Sequence, residues 1–171
     1  MIQIRSGVFE SNSSSTHSLC IARSPVKKED IPKRLYILGD EYGWGADCLD
    51  SPEERASYLF SALNEMRPIQ FSTKDFTDYL DSMGIDYTIK MNKYDGVDHV
   101  GELWDFLYRC KNDHDYLTRF LFNPLSEVFT GNDSYVEEAN CFIADDDYES
   151  YTGHKHPRRD DKTYEYYFKG N

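Results

Sequence analysis

The sequence predicts an α+β fold: a single domain over residues 1–171, with a mixed or antiparallel sheet formed by N- and C-terminal strands and central helices packed on it. Three observations predict it. Short runs of strand composition lie near both ends, Leu19-Cys20-Ile21-Ala22 at one and Thr163-Tyr164-Glu165-Tyr166-Tyr167-Phe168 at the other. Between them, apolar residues recur at helical spacing behind recognisable helix starts. No internal repeat and no inner domain boundary interrupts the chain.

Taken in order, Ile2-Gln3-Ile4 reads as a first short strand and Leu19–Ala22 as a second. Residues 23–34 form a polar connection with two prolines, and Arg23, Lys27, Lys28, Lys33 and Arg34 make it the most basic part of the chain. Leu35-Tyr36-Ile37-Leu38 has strand composition, and Gly39 to Gly45 breaks it, with Tyr42 and Trp44 near a turn. Ser51-Pro52-Glu53-Glu54 is a helix start: a capping serine, a proline at the first helical position and a glutamate that completes a capping box. Ala56, Leu59, Phe60, Leu63 and Met66 follow at helical spacing as a core stripe, and Pro68 ends it. Ser72 and Asp75 suggest a second cap, with Phe76, Tyr79, Leu80 and Met83 on one face and Gly84 at the stop.

Ile85 to Met91 alternates as a strand does. Val100, Leu103, Trp104, Leu107 and Tyr108 resume the helical period, and a further helix is expected from Asp115 to Phe122, ended by Asn123-Pro124. Ser126 to Thr130 reads as a short strand, Gly131-Asn132-Asp133 as a turn and Cys141-Phe142-Ile143-Ala144 as another strand.

Aromatic residues make up 15% of the chain, too many for a disordered one, although mean hydropathy is −0.72. The net charge of −12 argues against broad binding to free DNA or RNA, which needs Lys and Arg to neutralise phosphates. It favours a basic partner, or it serves only solubility. The cysteines, at 20, 48, 110 and 141, form no Cys-x-x-Cys motif. No leader-like or membrane-length apolar run is visible, so reduced thiols, a cytoplasmic location and no membrane association are expected.

The stretch richest in chemistry is Val8 to Ser18, where seven of eleven residues are Ser, Thr or Asn. It reads as a hydroxyl-rich loop between strands, because these side chains compete with the backbone for hydrogen bonds. Such a loop suits an oxyanion or phosphate. Glu10 and His17 are the catalytic candidates, being residue types used for proton transfer near neutral pH. Arg5, Asn12, Ser13, Ser14 and Ser15 are the candidates for holding a phosphate. The plainer alternative is a surface loop with an ordinary Glu and His. No Gly-x-Ser-x-Gly nucleophile elbow is present.

A second region stands out by charge. From Phe120 to His154 there is no Lys or Arg, while acidic residues abound. Asp145, Asp146, Asp147 and Tyr148 are the candidate partner-binding residues, suited to a basic groove. A divalent metal site and a solvated loop are the alternatives, and the Asp145-Asp146-Asp147 spacing is not that of a calcium loop. His154-Lys155-His156-Pro157-Arg158-Arg159 is a compact basic patch, able to steady a phosphodiester or simply solvated. His99 and His114 read as surface residues beside helix starts.

Ile4 to Ser18 resembles the opening of a family of small proteins carried by phages, prophages and plasmids of Firmicutes, with the pattern R-x-G-x-F-E-[ST]-N-S-S-S-x-H-S. That family is associated with type II anti-CRISPR proteins, some of which inactivate the effector by shortening its guide RNA. The resemblance covers about fifteen residues and carries over Glu10, Asn12 and His17. It implies an inhibitor whose partner is a CRISPR effector nuclease with its guide RNA; a scheme in which Glu10 and His17 share the base and acid roles needs no metal, and no cofactor is expected. Two alternatives stay open: a non-catalytic acidic mimic of nucleic acid, and a protein that sequesters a nucleotide-like signal.

Overall fold

A computed structural model describes residues 15–43, 47–66, 71–92, 95–98, 100–132, 136–137, 142–143 and 162–169. Its centre is an antiparallel sheet of four strands in the order β10-β1-β7-β4. These are β1 (Ser15–Ala22), β4 (Asp47–Leu49), β7 (Glu127–Asn132) and β10 (Tyr164–Lys169). The fold is α+β, and its N- and C-terminal strands pair antiparallel from His17↔Lys169 to Ala22↔Tyr164. The helices are α1 (Pro52–Glu65), α2 (Thr73–Ser82), α3 (Trp104–Asn112) and α4 (His114–Phe122). The remaining strands are β2 (Arg34–Leu38), β3 (Glu41–Tyr42), β5 (Asp86–Lys90), β6 (Gly96–Val97), β8 (Val136–Glu137) and β9 (Phe142–Ile143). Strands β2 and β5 form a separate parallel pair.

Both predicted capping boxes are present. The Glu54 amide donates to Ser51 Oγ at 3.3 Å, while the Ser51 amide donates to Glu54 Oε2 at 3.0 Å. At α2 the Asp75 amide donates to Ser72 Oγ at 3.1 Å, and Asp75 Oδ2 accepts from the Ser72 amide at 2.8 Å. Those hydrogen bonds hold the Asp75 carboxyl below its ordinary pKa. Gly84 stops α2 at φ +70°, a conformation glycine adopts without steric cost.

Three expectations shift. The structure puts Gly131 and Asn132 in β7, where they face Thr16 and Ser15, rather than in a turn; Asp133 lies outside the described residues. Residues 100–103 form a tight 3₁₀ turn before α3. In α3 the period is right but the buried side is Leu103, Phe106, Leu107 and Cys110, with Trp104 and Tyr108 exposed.

The core lies between the helices and the sheet. Leu19, Ile21 and Val128 from the sheet meet Leu59, Leu63, Phe76, Phe106 and Phe120 from the helices. Helix α1 is buried all round from Arg55 to Leu63. The Arg55 guanidinium is satisfied by main-chain carbonyls: Leu121 O at 2.9 Å, Asn123 O at 3.0 Å, and Asp50 O and Ser126 O. Burial lowers its pKa to about 10, leaving it charged at neutral pH. Arg55 thereby joins α1 to the turn between α4 and β7. Nearby, Arg119 donates to Asp115 and Glu165, each at 2.9 Å, and to the Ala22 carbonyl at 3.0 Å, fastening α4 to β10 and β1.

Candidate functional site

The hydroxyl-rich run enters the described residues at Ser15, and there it is strand, not loop. Ser15, Thr16, His17 and Ser18 pair with Asn132, Gly131, Thr130 and Phe129 of β7. His17 and Ser18 also pair with Lys169 and Phe168 of β10. Two backbone ladders outweigh the local preference of these residues for turns. Arg5, Glu10, Asn12, Ser13 and Ser14 lie outside the described residues, as do Ile2-Gln3-Ile4, Trp44, His99, Asp145, Asp146, Asp147, Tyr148 and the basic patch from His154 to Arg159.

His17 is fully buried. It lies in a row across the sheet, with Thr130 beside it on β7 and Asp47 beyond on β4. Residues in register on neighbouring strands share a face, and this face looks onto α1. From α1, Tyr58 brings its hydroxyl to within 2.9 Å of His17 Nδ1. Tyr42 packs edge-on against Tyr58 with ring centroids 5.3 Å apart. Thr130 Oγ1 donates to Asp47 Oδ2 at 3.4 Å. The sequence brings these together because β1 alternates: His17, Leu19 and Ile21 point towards the helices, while Ser18, Cys20 and Ala22 point to the other face, which is buried as well.

The electrostatics are acidic around this row. Burial, with Asp40 adding to it, raises the Asp47 carboxyl above its ordinary pKa. Burial also raises the Tyr42 phenol, and Asp40, Asp47, Glu54 and Asp95 act in the same direction. Tyr42 is therefore a neutral packing group at neutral pH. The carboxylates repel a polyanion approaching across β4.

The chemistry available follows from these contacts. A histidine whose ring is tied to a tyrosine hydroxyl is held in one orientation, and here its full burial keeps it from solvent. The thiols offer little. Cys20, Cys48 and Cys110 are unbridged; burial pushes Cys20 and Cys110 well up and Cys48 up to about 12, so all three are protonated and poor nucleophiles. Among the described residues no three His, Cys, Asp or Glu side chains converge as a metal site needs. No helix among them is long and apolar enough to cross a membrane. His114 is exposed at the start of α4, its ring edge-on to Tyr79 with centroids 5.4 Å apart.

Sequence reasoning missed Tyr58, Thr130 and Asp47. The core stripe Ala56, Leu59, Phe60 and Leu63 describes one side of α1, whereas this helix is buried on every side, including those of Arg55 and Tyr58. The available signal was the polar set Arg55, Ser57, Tyr58 and Ser61 interleaved with the apolar residues in the middle of the helix. No protein-family model, curated protein or solved structure matches the chain.

Proposed function

We propose that this chain inhibits a type II CRISPR nuclease in the cytoplasm of a bacterial host by shortening the guide RNA the nuclease holds. The carrying observation is the position of the Arg5–Ser18 motif in the chain: it runs directly into β1, a strand paired on both sides, through a buried histidine tied to Tyr58. Reactive groups on a segment anchored to a rigid, doubly paired strand are a common way to build a site. In this reading Glu10 takes the proton from a ribose 2′-hydroxyl, which attacks the adjacent phosphorus, and His17, fully buried in this structure, has to be uncovered on RNA binding to return a proton to the departing 5′-oxygen. Arg5, Asn12, Ser13, Ser14 and Ser15 hold the phosphate. A net charge of −12 suits an enzyme that meets RNA only on a basic carrier protein.

The charge also favours a second reading. The stretch from Phe120 to His154 holds no Lys or Arg, so Asp145, Asp146, Asp147 and Tyr148 would dock on a basic groove of the nuclease and block it without chemistry.

One experiment separates them. A type II CRISPR nuclease loaded with labelled guide RNA is incubated with the chain, and the RNA is run on a denaturing gel beside target-cleavage assays. A shortened guide that is lost with Glu10→Gln and reduced with Tyr58→Phe supports the enzyme. An intact guide with target cleavage still blocked supports the acidic docking surface. An intact guide with normal target cleavage overturns both.

A further inference from the structure

Strands β2 and β5 pair in parallel, with Arg34 beside Asp86 and Leu38 beside Lys90. The Asp86 amide donates to Lys33 O at 3.0 Å, and the Gly39 amide donates to Lys90 O at 2.9 Å. In a parallel ladder, alternate residues turn their backbone groups to the neighbour and the others turn theirs away. Asp86, Thr88 and Lys90 therefore face β2, while the N–H and C=O of Tyr87 and Ile89 face outward. Among the described residues nothing pairs with that outer edge. The far edge of β2 is different: its Leu38 amide is taken up by Ser57 Oγ of α1 at 3.0 Å.

The open edge carries no proline or bulge, so nothing in its backbone blocks pairing, and its protection rests on its shortness and on the charges of Asp86 and Lys90. Ile89 is 37% exposed on it. Asp86, Thr88 and Lys90 share the face opposite the core, and the Asp86 side chain is 75% exposed although Arg34 lies 3.4 Å away. An acid and a base placed symmetrically about Thr88 are complementary to their own antiparallel copy.

We propose that β5 pairs antiparallel with β5 of a second copy of this chain, about a two-fold axis at Thr88. In that register Tyr87 and Ile89 of one copy meet Ile89 and Tyr87 of the other as hydrogen-bonded pairs, so the outward backbone groups are the ones used. Asp86 of each copy lies opposite Lys90 of the other, giving two equivalent ion pairs, and Thr88 meets its own counterpart. The result is a continuous four-stranded sheet, β2-β5 followed by its symmetry mate. The charge order selects this arrangement: a one-residue slip breaks both ion pairs and turns the side chains to opposite faces.

The test is sedimentation velocity on the full chain at low salt, over a concentration series. The wild-type chain is expected to dimerise reversibly. Asp86→Lys alone and Lys90→Asp alone are expected to be monomers, since each opposes like charges twice. An equimolar mixture of the two variants is expected to recover the dimer, because one then carries two cations along the edge and the other two carboxylates; this recovery also shows that both variants fold. In addition, Thr88→Cys is expected to give a reductant-sensitive covalent dimer that the wild-type chain does not form, because partners in a non-hydrogen-bonded pair have Cα atoms about 4.5 Å apart, within disulfide reach. A wild-type monomer at the highest soluble concentration overturns the proposal. So does a dimer indifferent to Asp86→Lys, which would place the interface elsewhere, or two monomeric variants that fail to associate when mixed.

Discussion

Strand β1 has a neighbour on each side and both faces buried, from His17 to Ala22. Strand β5 has one neighbour and is exposed at Asp86, Thr88, Ile89 and Lys90. Their compositions follow their surroundings. Where both faces are covered, polar residues persist only with partners, as His17 does with Tyr58. Where one face is open, Asp86 and Lys90 stay solvated and the strand keeps the ability to add another. The buried sheet can hold a group in a fixed direction; the open pair can be joined by a second chain. One fold thus separates a rigid support from a surface available for association.

The largest expected effect comes from cutting the tie that holds the buried sheet to the helices. Arg55→Ala removes the donors for carbonyls of Asp50, Leu121, Asn123 and Ser126, and should cost about 4 kcal/mol or more in urea unfolding. A loss below about 1 kcal/mol would mean water replaces the guanidinium and the sheet is less sealed than described.

A smaller effect contrasts the two faces of the parallel pair. Leu35 is fully buried and Leu38 is 53% exposed on the same strand. Leu35→Ala should cost about 3 kcal/mol and Leu38→Ala under about 0.5 kcal/mol by the same measurement. Equal losses would show that the outer face of β2 is covered too, removing the distinction between the sheets.

The smallest effect has the opposite sign. Folding raises the Asp47 pKa, so the folded chain binds that proton more tightly than the unfolded chain does. The group therefore destabilises above its folded pKa, and the penalty fades as pH falls through that value towards the unfolded one, about 3.9. Asp47→Asn should stabilise at pH 7 by about 0.5 kcal/mol, allowing for solvent screening, and by less at pH 4. A destabilised variant at pH 7 would show that the hydrogen bond from Thr130 depends on the charge.

Much of the fold was legible because its signals are local. Ser51 with Glu54, and Ser72 with Asp75, announce α1 and α2 within four residues each, and both capping boxes form. The strand composition of Leu35 to Leu38 and the alternation of residues 85–91 likewise mark β2 and β5. What was not legible depends on distant partners. The run Ser15-Thr16-His17-Ser18 has the local preferences of a loop, and only β7 and β10 make it a strand. The same holds for the row His17, Thr130 and Asp47, whose members become neighbours through strand register alone. The all-round burial of α1 arises from β2, β6 and α4 packing around it, with Ser57 taken up by Leu38 of β2 and Arg55 by the end of α4, a surrounding that no periodicity within the helix encodes.

The Arg55 contacts carry a consequence for the order of events in synthesis. The guanidinium emerges from the ribosome with Asp50 close at hand, but its other carbonyls belong to residues 121–126. Over the same interval β1 waits for β7, and it waits longer for β10. Contacts so far apart in sequence form late and together. A growing chain thus displays the β1 segment well before β7 and β10 exist to pair with it, and the sheet closes only after both have been made.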